Sequence, residues 1–258
     1  MLRSNRPWTS RSALAALRRT LAVAWLGCNG VAFAASVSFN ETALDSIFRQ
    51  STFGTMYTID IRFNDALSVV AQTLVSIDSD PEFSKFTFSN PASALSDLVQ
   101  QLSIPTNTVA MFYVDKINYC GGSGANIIGC GSIPGRLIAL DSNAAAEVSG
   151  AALIAHELGH NLGLSHDDTI IDGNLMNSRI YGDTTLTTDQ IDTFLDRSNG
   201  NSRNPIVQID SFGNLYIAIT PIAVLAAAPV PEPQTWAMWS LGLLGVAGWA
   251  RHRRTWAG

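Results

Sequence analysis

His156-Glu157-Leu158-Gly159-His160-Asn161-Leu162-Gly163-Leu164-Ser165-His166 is the stretch on which the reading of this chain turns. Its pattern is H-E-x-x-H-x-x-G-x-x-H. Two histidines four residues apart on a helix lie one turn apart on the same face, so both imidazoles can reach one ion. Gly163 can take positive φ, end the helix and swing the chain back, which brings His166 to the same ion. Three neutral imidazole nitrogens leave a fourth tetrahedral position open to water, the mark of a catalytic rather than a structural zinc site. Glu157 is placed to take a proton from that water during attack on a carbonyl and to pass it to the leaving amine.

Blander readings fit less well. A single helical histidine is structural in most proteins, and H-E-x-x-H alone has accidental matches. Of the four histidines in the chain, three fall in this one string, and the fourth, His252, lies in the tail. A closed structural site needs a fourth protein ligand. Cys120 and Cys130 are better assigned to each other, and Asp167 or Asp168 fits better as support than as a ligand.

Upstream of the string, residues 143–162 are rich in Ala, which predicts one continuous helix. Residues 57–63 alternate polar and apolar, the period of a half-buried strand. Asn64 or Asp65 can then cap a helix on which Leu67, Val70, Ala71, Leu74 and Ile77 recur at helical spacing, and a second helix is predicted near 93–102. The apolar run 109–114 suits a buried strand, and 136–140 another, so the sheet is expected to be mixed. Residues 206–229 read as a linker, or as a final hairpin around Gly213-Asn214.

Both ends carry addressing signals. Arg3, Arg6, Arg11, Arg18 and Arg19 precede an apolar run and the small-residue site Ala32-Phe33-Ala34-Ala35, so residues 1–35 read as a signal peptide. An amphipathic first helix and a lipoprotein site at Cys28 are the alternatives. Cleavage leaves Cys120 and Cys130 as an even pair in an exported protein, which predicts a disulfide closing a Gly-rich loop; a redox or metal-binding pair lacks the C-x-x-C spacing. At the other end, Pro231-Glu232-Pro233 is followed by an uncharged apolar run at 236–250 and by Arg251, Arg253 and Arg254. Such a run can enter a bilayer while the basic cluster stays on the cytoplasmic side, but it is shorter than the roughly twenty residues of a comfortable span. A transient or marginal transmembrane contact is expected.

With both ends set aside, 258 residues leave about one domain, 36–205, large enough for its own core. A net charge of −5 with 14% charged residues supplies no basic field, which excludes nucleic acid as an expected partner.

The zinc string resembles that of the metzincin zinc metallopeptidases, and the Asp167 that follows His166 resembles the adamalysin (reprolysin) branch. The resemblance extends to Asn174-Leu175-Met176-Asn177, which matches the metzincin Met-turn and makes Met176 a floor beneath the ligands rather than one of them; an ordinary core Met is the other reading. The resemblance implies an α+β fold, α/β-like in its upper subdomain, with a mixed sheet, an active-site helix and a small lower subdomain ending in a helix. Thr187-Thr188-Asp189-Gln190 offers a capping-box start for that last helix. It further implies one catalytic Zn2+ on His156, His160 and His166, and protein or peptide substrates added as a strand along 136–140 as the sheet edge. Ser178 stands where astacin-like and serralysin-like members carry Tyr. Residues 36–55 leave room only for a short pro-segment.

The C-terminal tail, 230–258, resembles the PEP-CTERM sorting signal of Gram-negative bacteria, which implies exosortase-type machinery as a partner, removal of the tail and delivery to the cell surface or extracellular matrix. A plain membrane anchor is the alternative. Taken together, these readings predict a zinc metalloendopeptidase acting outside the cell. The competing class is a non-catalytic surface or matrix binding protein on the same scaffold.

Overall fold

The computed structural model describes residues 40–54, 57–84, 93–167, 173–179, 182–195 and 204–227. Along the chain these form α1 (Glu41–Ile47), β1 (Ile59–Phe63), β2 (Leu67–Val70), β3 (Ser76–Ile77), α2 (Ala94–Gln101) and β4 (Thr108–Val114). Next come β5 (Lys116–Tyr119), β6 (Ser123–Ile127), β7 (Gly129–Gly131), β8 (Leu137–Asp141) and α3 (Ser142–Ala145). The last elements are α4 (Gly150–Asn161), α5 (Thr188–Leu195), β9 (Gln208–Ile209) and β10 (Leu215–Leu225).

All seven residues of β4 are buried. Successive side chains leave a strand on opposite faces. Val109, Met111 and Tyr113 therefore join one apolar cluster, while Ala110, Phe112 and Val114 join another. The first cluster packs α1, α4 and α5 against the sheet through residues such as Leu44, Leu158 and Ile191. The second packs Leu95 and Val99 of α2, with Ile77, Phe83 and Ile117, on the opposite face.

The main sheet runs β1-β10-β4-β8-β7, with β2 and β9 also pairing β10. The pairs of β10 with β1, β2 and β4, and of β4 with β8, are parallel, whereas β9 and β7 run antiparallel to their partners. The sheet is mixed, as expected. A smaller sheet, β3-β5-β6, lies beside it.

Several expectations are corrected. The helix predicted over 67–77 is instead β2, a 3-10 turn at Gln72–Leu74 and β3. Helical spacing of apolar residues arises there by coincidence, because β2 lies along the long β10 beside β1: Leu67 pairs Ile222 and Val70 pairs Leu225. Asn64 marks the break between β1 and β2 by bonding Thr220 across the ladder (2.9 Å) rather than by capping a helix.

The described part of the segment read as 206–229, up to residue 227, is not a linker. A hairpin does turn at Gly213-Asn214, but its second arm, β10, is an interior strand lying between β1 and β4. The globular unit therefore runs past 205, to Leu225 at least. The proposed pro-segment is also revised, because Leu44, Ile47 and Phe48 are buried in the same cluster as α4. No helix among the described residues is long and apolar enough to cross a membrane. The apolar run at 236–250 and the segment 1–35 lie outside the described residues.

Candidate metal centre

The single helix expected at 143–162 is two. α3 is capped by Asp141, whose carboxylate accepts from the amides of Asn143 and Ala144. A turn at 146–149 then leads into α4, and the two helices meet so closely that a Cβ on Gly150 would lie 2.1 Å from the Ala145 carbonyl oxygen. Ser149-Gly150 is a poor helix interior, which is why the run breaks here. Every residue of α4 except Ala151 is buried, so the helix is a core element rather than an amphipathic surface one.

α4 ends as its sequence requires. Gly163 has φ +99°. Its amide donates to His160 O (2.9 Å), and the Leu164 amide donates to Gly159 O (3.0 Å), which together form a Schellman motif. The reversal delivers His166 to the two helical histidines. Its Nε2 lies 3.2 Å from Nε2 of His156 and 3.2 Å from Nε2 of His160. His156 and His160 are 2% and 3% exposed, whereas His166 is exposed, so the cluster is open on one side only.

The other ring nitrogens are held. His156 Nδ1 lies 2.6 Å from Leu175 O, and His160 Nδ1 lies 2.7 Å from Leu164 O. A carbonyl can only accept, so in both rings Nδ1 carries the proton and the Nε2 lone pair is left for a ligand. Tetrahedral zinc with Zn–N of 2.0–2.1 Å spaces its nitrogens about 3.3 Å apart. The two measured spacings fit that figure.

After the string, the Asn177 amide closes a tight turn onto Asn174 O (3.2 Å), and Leu175 in this turn is the residue whose carbonyl meets His156 Nδ1. Met176 is fully buried in this turn, and its sulfur packs so closely on α4 that a Cβ on Gly159 would lie 2.5 Å from it. The Asp167 amide donates to Met176 O (2.9 Å), so Asp167 joins the end of the histidine string to the turn through its backbone. Glu157 is 3% exposed, and its carboxylate lies against β7. Cys120 and Cys130 form a disulfide.

The strand expected as the sheet edge is not at the edge. β8 pairs β4 on one side and β7 on the other, leaving β7 as the outer strand beside α4. Some contributors were not singled out from the sequence. Asn161 Nδ2 donates to Ser132 O (3.0 Å) and Leu137 O (2.9 Å), tying the end of α4 to the β7–β8 turn. In the sequence Gln190 is legible only as a capping residue. Its side chain does accept from the Thr187 amide, and it also reaches Asn174 in the turn. The pairing of a capping glutamine with a turn asparagine leaves no trace in local sequence.

A model of the reprolysin-like metallopeptidases of family M12B matches residues 36–167, more than half of the chain. The chain belongs to this family. As an M12B metallopeptidase it is of a zinc-dependent hydrolase class, and its three clustered histidines are consistent with a zinc site. The matched region ends at Asp167, so the turn carrying Met176 and the interior strand β10 lie beyond it. A PEP-CTERM protein-sorting motif matches residues 229–254 of this M12B chain, which marks it as exported by a Gram-negative bacterium and implies processing by an exosortase. No curated protein matches the chain.

Proposed function

We propose that this chain is an endopeptidase that binds one zinc ion through Nε2 of His156, His160 and His166 and cleaves proteins outside the cell. The observation that carries this reading is the pair of 3.2 Å Nε2 spacings, made between rings of which two have Nδ1 committed to a carbonyl. Zinc held there would polarise a substrate carbonyl and acidify a water.

Glu157 is the proton carrier. It takes the proton of the attacking water as the new carbon–oxygen bond forms and delivers it to the nitrogen as the carbon–nitrogen bond breaks, so that the amine leaves neutral rather than as an anion. Its place on the helix that carries His156 and His160, with its carboxylate buried against β7, supports this role. β7, as the outer strand, is the element to which an extended peptide adds, with backbone hydrogen bonds supplying affinity. Met176 forms the floor in the manner of a Met-turn, and Asp167 fixes its distance from the histidines. The signal at 1–35 and the sorting tail direct the enzyme to the cell surface, with transient membrane contact through 236–250 before processing.

The test is digestion of a peptide library by zinc-loaded protein, beside Glu157→Gln. Cleavage by the parent and its loss in a variant of equal zinc affinity are expected. A parent that binds zinc and cleaves nothing would favour the binding-protein reading instead.

A further inference from the structure

β7 presents no side chain to the site. Its residues are Gly129, Cys130 and Gly131, and the alternation of a strand places the two glycines on one face and Cys130 on the other. Cys130 belongs to the second core cluster and is bonded to Cys120. The glycines face α4. A Cβ on Gly129 would stand 2.3 Å from Glu157 Oε1, 2.8 Å from its Cδ and 2.9 Å from its Cγ. A Cβ on Gly131 would stand 2.5 Å from the backbone oxygen of Glu157 and 2.9 Å from His160 Cβ. Neither glycine has positive φ, so no turn geometry accounts for them. What they provide is close approach.

We propose that Gly129 is a positioning residue, which sets the place of the Glu157 carboxylate by letting the β7 backbone lie directly against it. Gly131 does the same for the helix backbone under His160. This deepens the functional reading and rests on Glu157 as the proton carrier. Ordinary contact begins near 3.4 Å, so a methyl group at Gly129 forces the carboxylate aside by about 1 Å, a displacement that can cost on the order of a hundredfold in rate. The three nearest neighbours of that methyl are all atoms of the Glu157 side chain, so the histidines keep their places.

The experiment uses the exported full chain, with zinc affinity, thermal midpoint, kcat and KM measured for each variant. In Gly129→Ala, kcat falls about a hundredfold while KM and zinc affinity stay within about twofold of the parent, the pattern of an interaction lost only in the transition state. In Gly131→Ala, zinc affinity falls as well. Gly122→Ala, with nothing near its Cβ, changes none of these.

Glu157→Asp is shorter by one methylene, so its cost in kcat is much smaller in the Gly129→Ala background than in the parent. Should Gly129→Ala be too unstable to assay, adding Glu157→Ala restores the midpoint, because the overlap is with that side chain; failure to restore it overturns the proposal. A parent inactive on every peptide sinks the reading of Glu157. An active parent whose Gly129→Ala variant keeps its kcat, or costs that simply add, sinks the positioning role alone.

Discussion

Asn174 and Gln190 exchange two side-chain hydrogen bonds, Nδ2 to Oε1 at 3.0 Å and Nε2 to Oδ1 at 3.1 Å, with both residues buried. The pair joins the turn that meets His156 to the first turn of α5. Asn174 Oδ1 also accepts from the Met176 amide (2.9 Å), and Leu175, between them, accepts from His156 Nδ1. The orientation of the first histidine thus depends on a helix cap well beyond it in sequence.

Replacing Gln190 with Leu should therefore act on stability and metal together. The buried amide of Asn174 loses its partner, which costs about 1–3 kcal/mol. Chemical denaturation should show that loss. Chelator competition should show weaker zinc binding than in Thr193→Ala, a control on the exposed face of the same helix. Zinc affinity equal in the two variants would remove the link from α5 to His156.

A chain ending at residue 205 should not fold. Without β10, strands β1 and β4 lose the ladder between them, and Leu215, Ile217, Ile219, Ile222 and Val224 leave both core clusters. A chain ending after Ala227 keeps every described element and should unfold cooperatively. Far-ultraviolet circular dichroism through a urea titration separates the two outcomes.

Removing the Cys120–Cys130 bond should lower stability by about 2–3 kcal/mol, the loop-closure cost for a ring of this size. The urea midpoint of Cys120→Ser/Cys130→Ser should fall while the slope stays close to that of the parent. The second core cluster remains otherwise complete, so cooperative unfolding is expected to survive.

Stability should fall in acid partly through Asp210. The Arg62 guanidinium, and then the Asn214 amide, hold its carboxyl down to about 2. A folded value below the unfolded one gives a contribution that is complete above the ordinary carboxylate range near 4 and is lost as the pH falls toward about 2. Unfolding free energy should therefore rise with pH across that window in the parent, and less steeply in Asp210→Asn. Parallel curves for the two proteins would exclude this carboxylate as a source.

Chelation should abolish peptide cleavage and leave the fold standing. Two of the three histidines sit on a buried helix whose packing comes from the first core cluster, the third follows within a few residues, and neither cluster needs the ion. Loss of bound zinc at a thousandfold excess over its dissociation constant removes about 4 kcal/mol, which lowers the melting midpoint without removing cooperativity. Calorimetry before and after chelation measures this, and a non-cooperative apo protein would show that the metal also holds the fold.

The local chemistry of this protein is written in consecutive residues. The i, i+4 histidines, the glycine that ends their helix and the third histidine three residues later sit together in sequence, so one helical turn and the chain reversal at Gly163 suffice to bring them together. The same holds for the buried strand at β4 and for the address at the C-terminus, which composition and order reveal. Tertiary structure decided the rest. Helical spacing over 67–77 lost to the ladder offered by β10, because a strand's partners are remote in sequence and its register is set by them. Which strand is outermost could not be read from 136–140, since an edge is a property of the whole sheet. The glycines at 129 and 131 look like loop residues in the sequence, and only the packing of α4 against β7 shows that their missing side chains are where Glu157 lies.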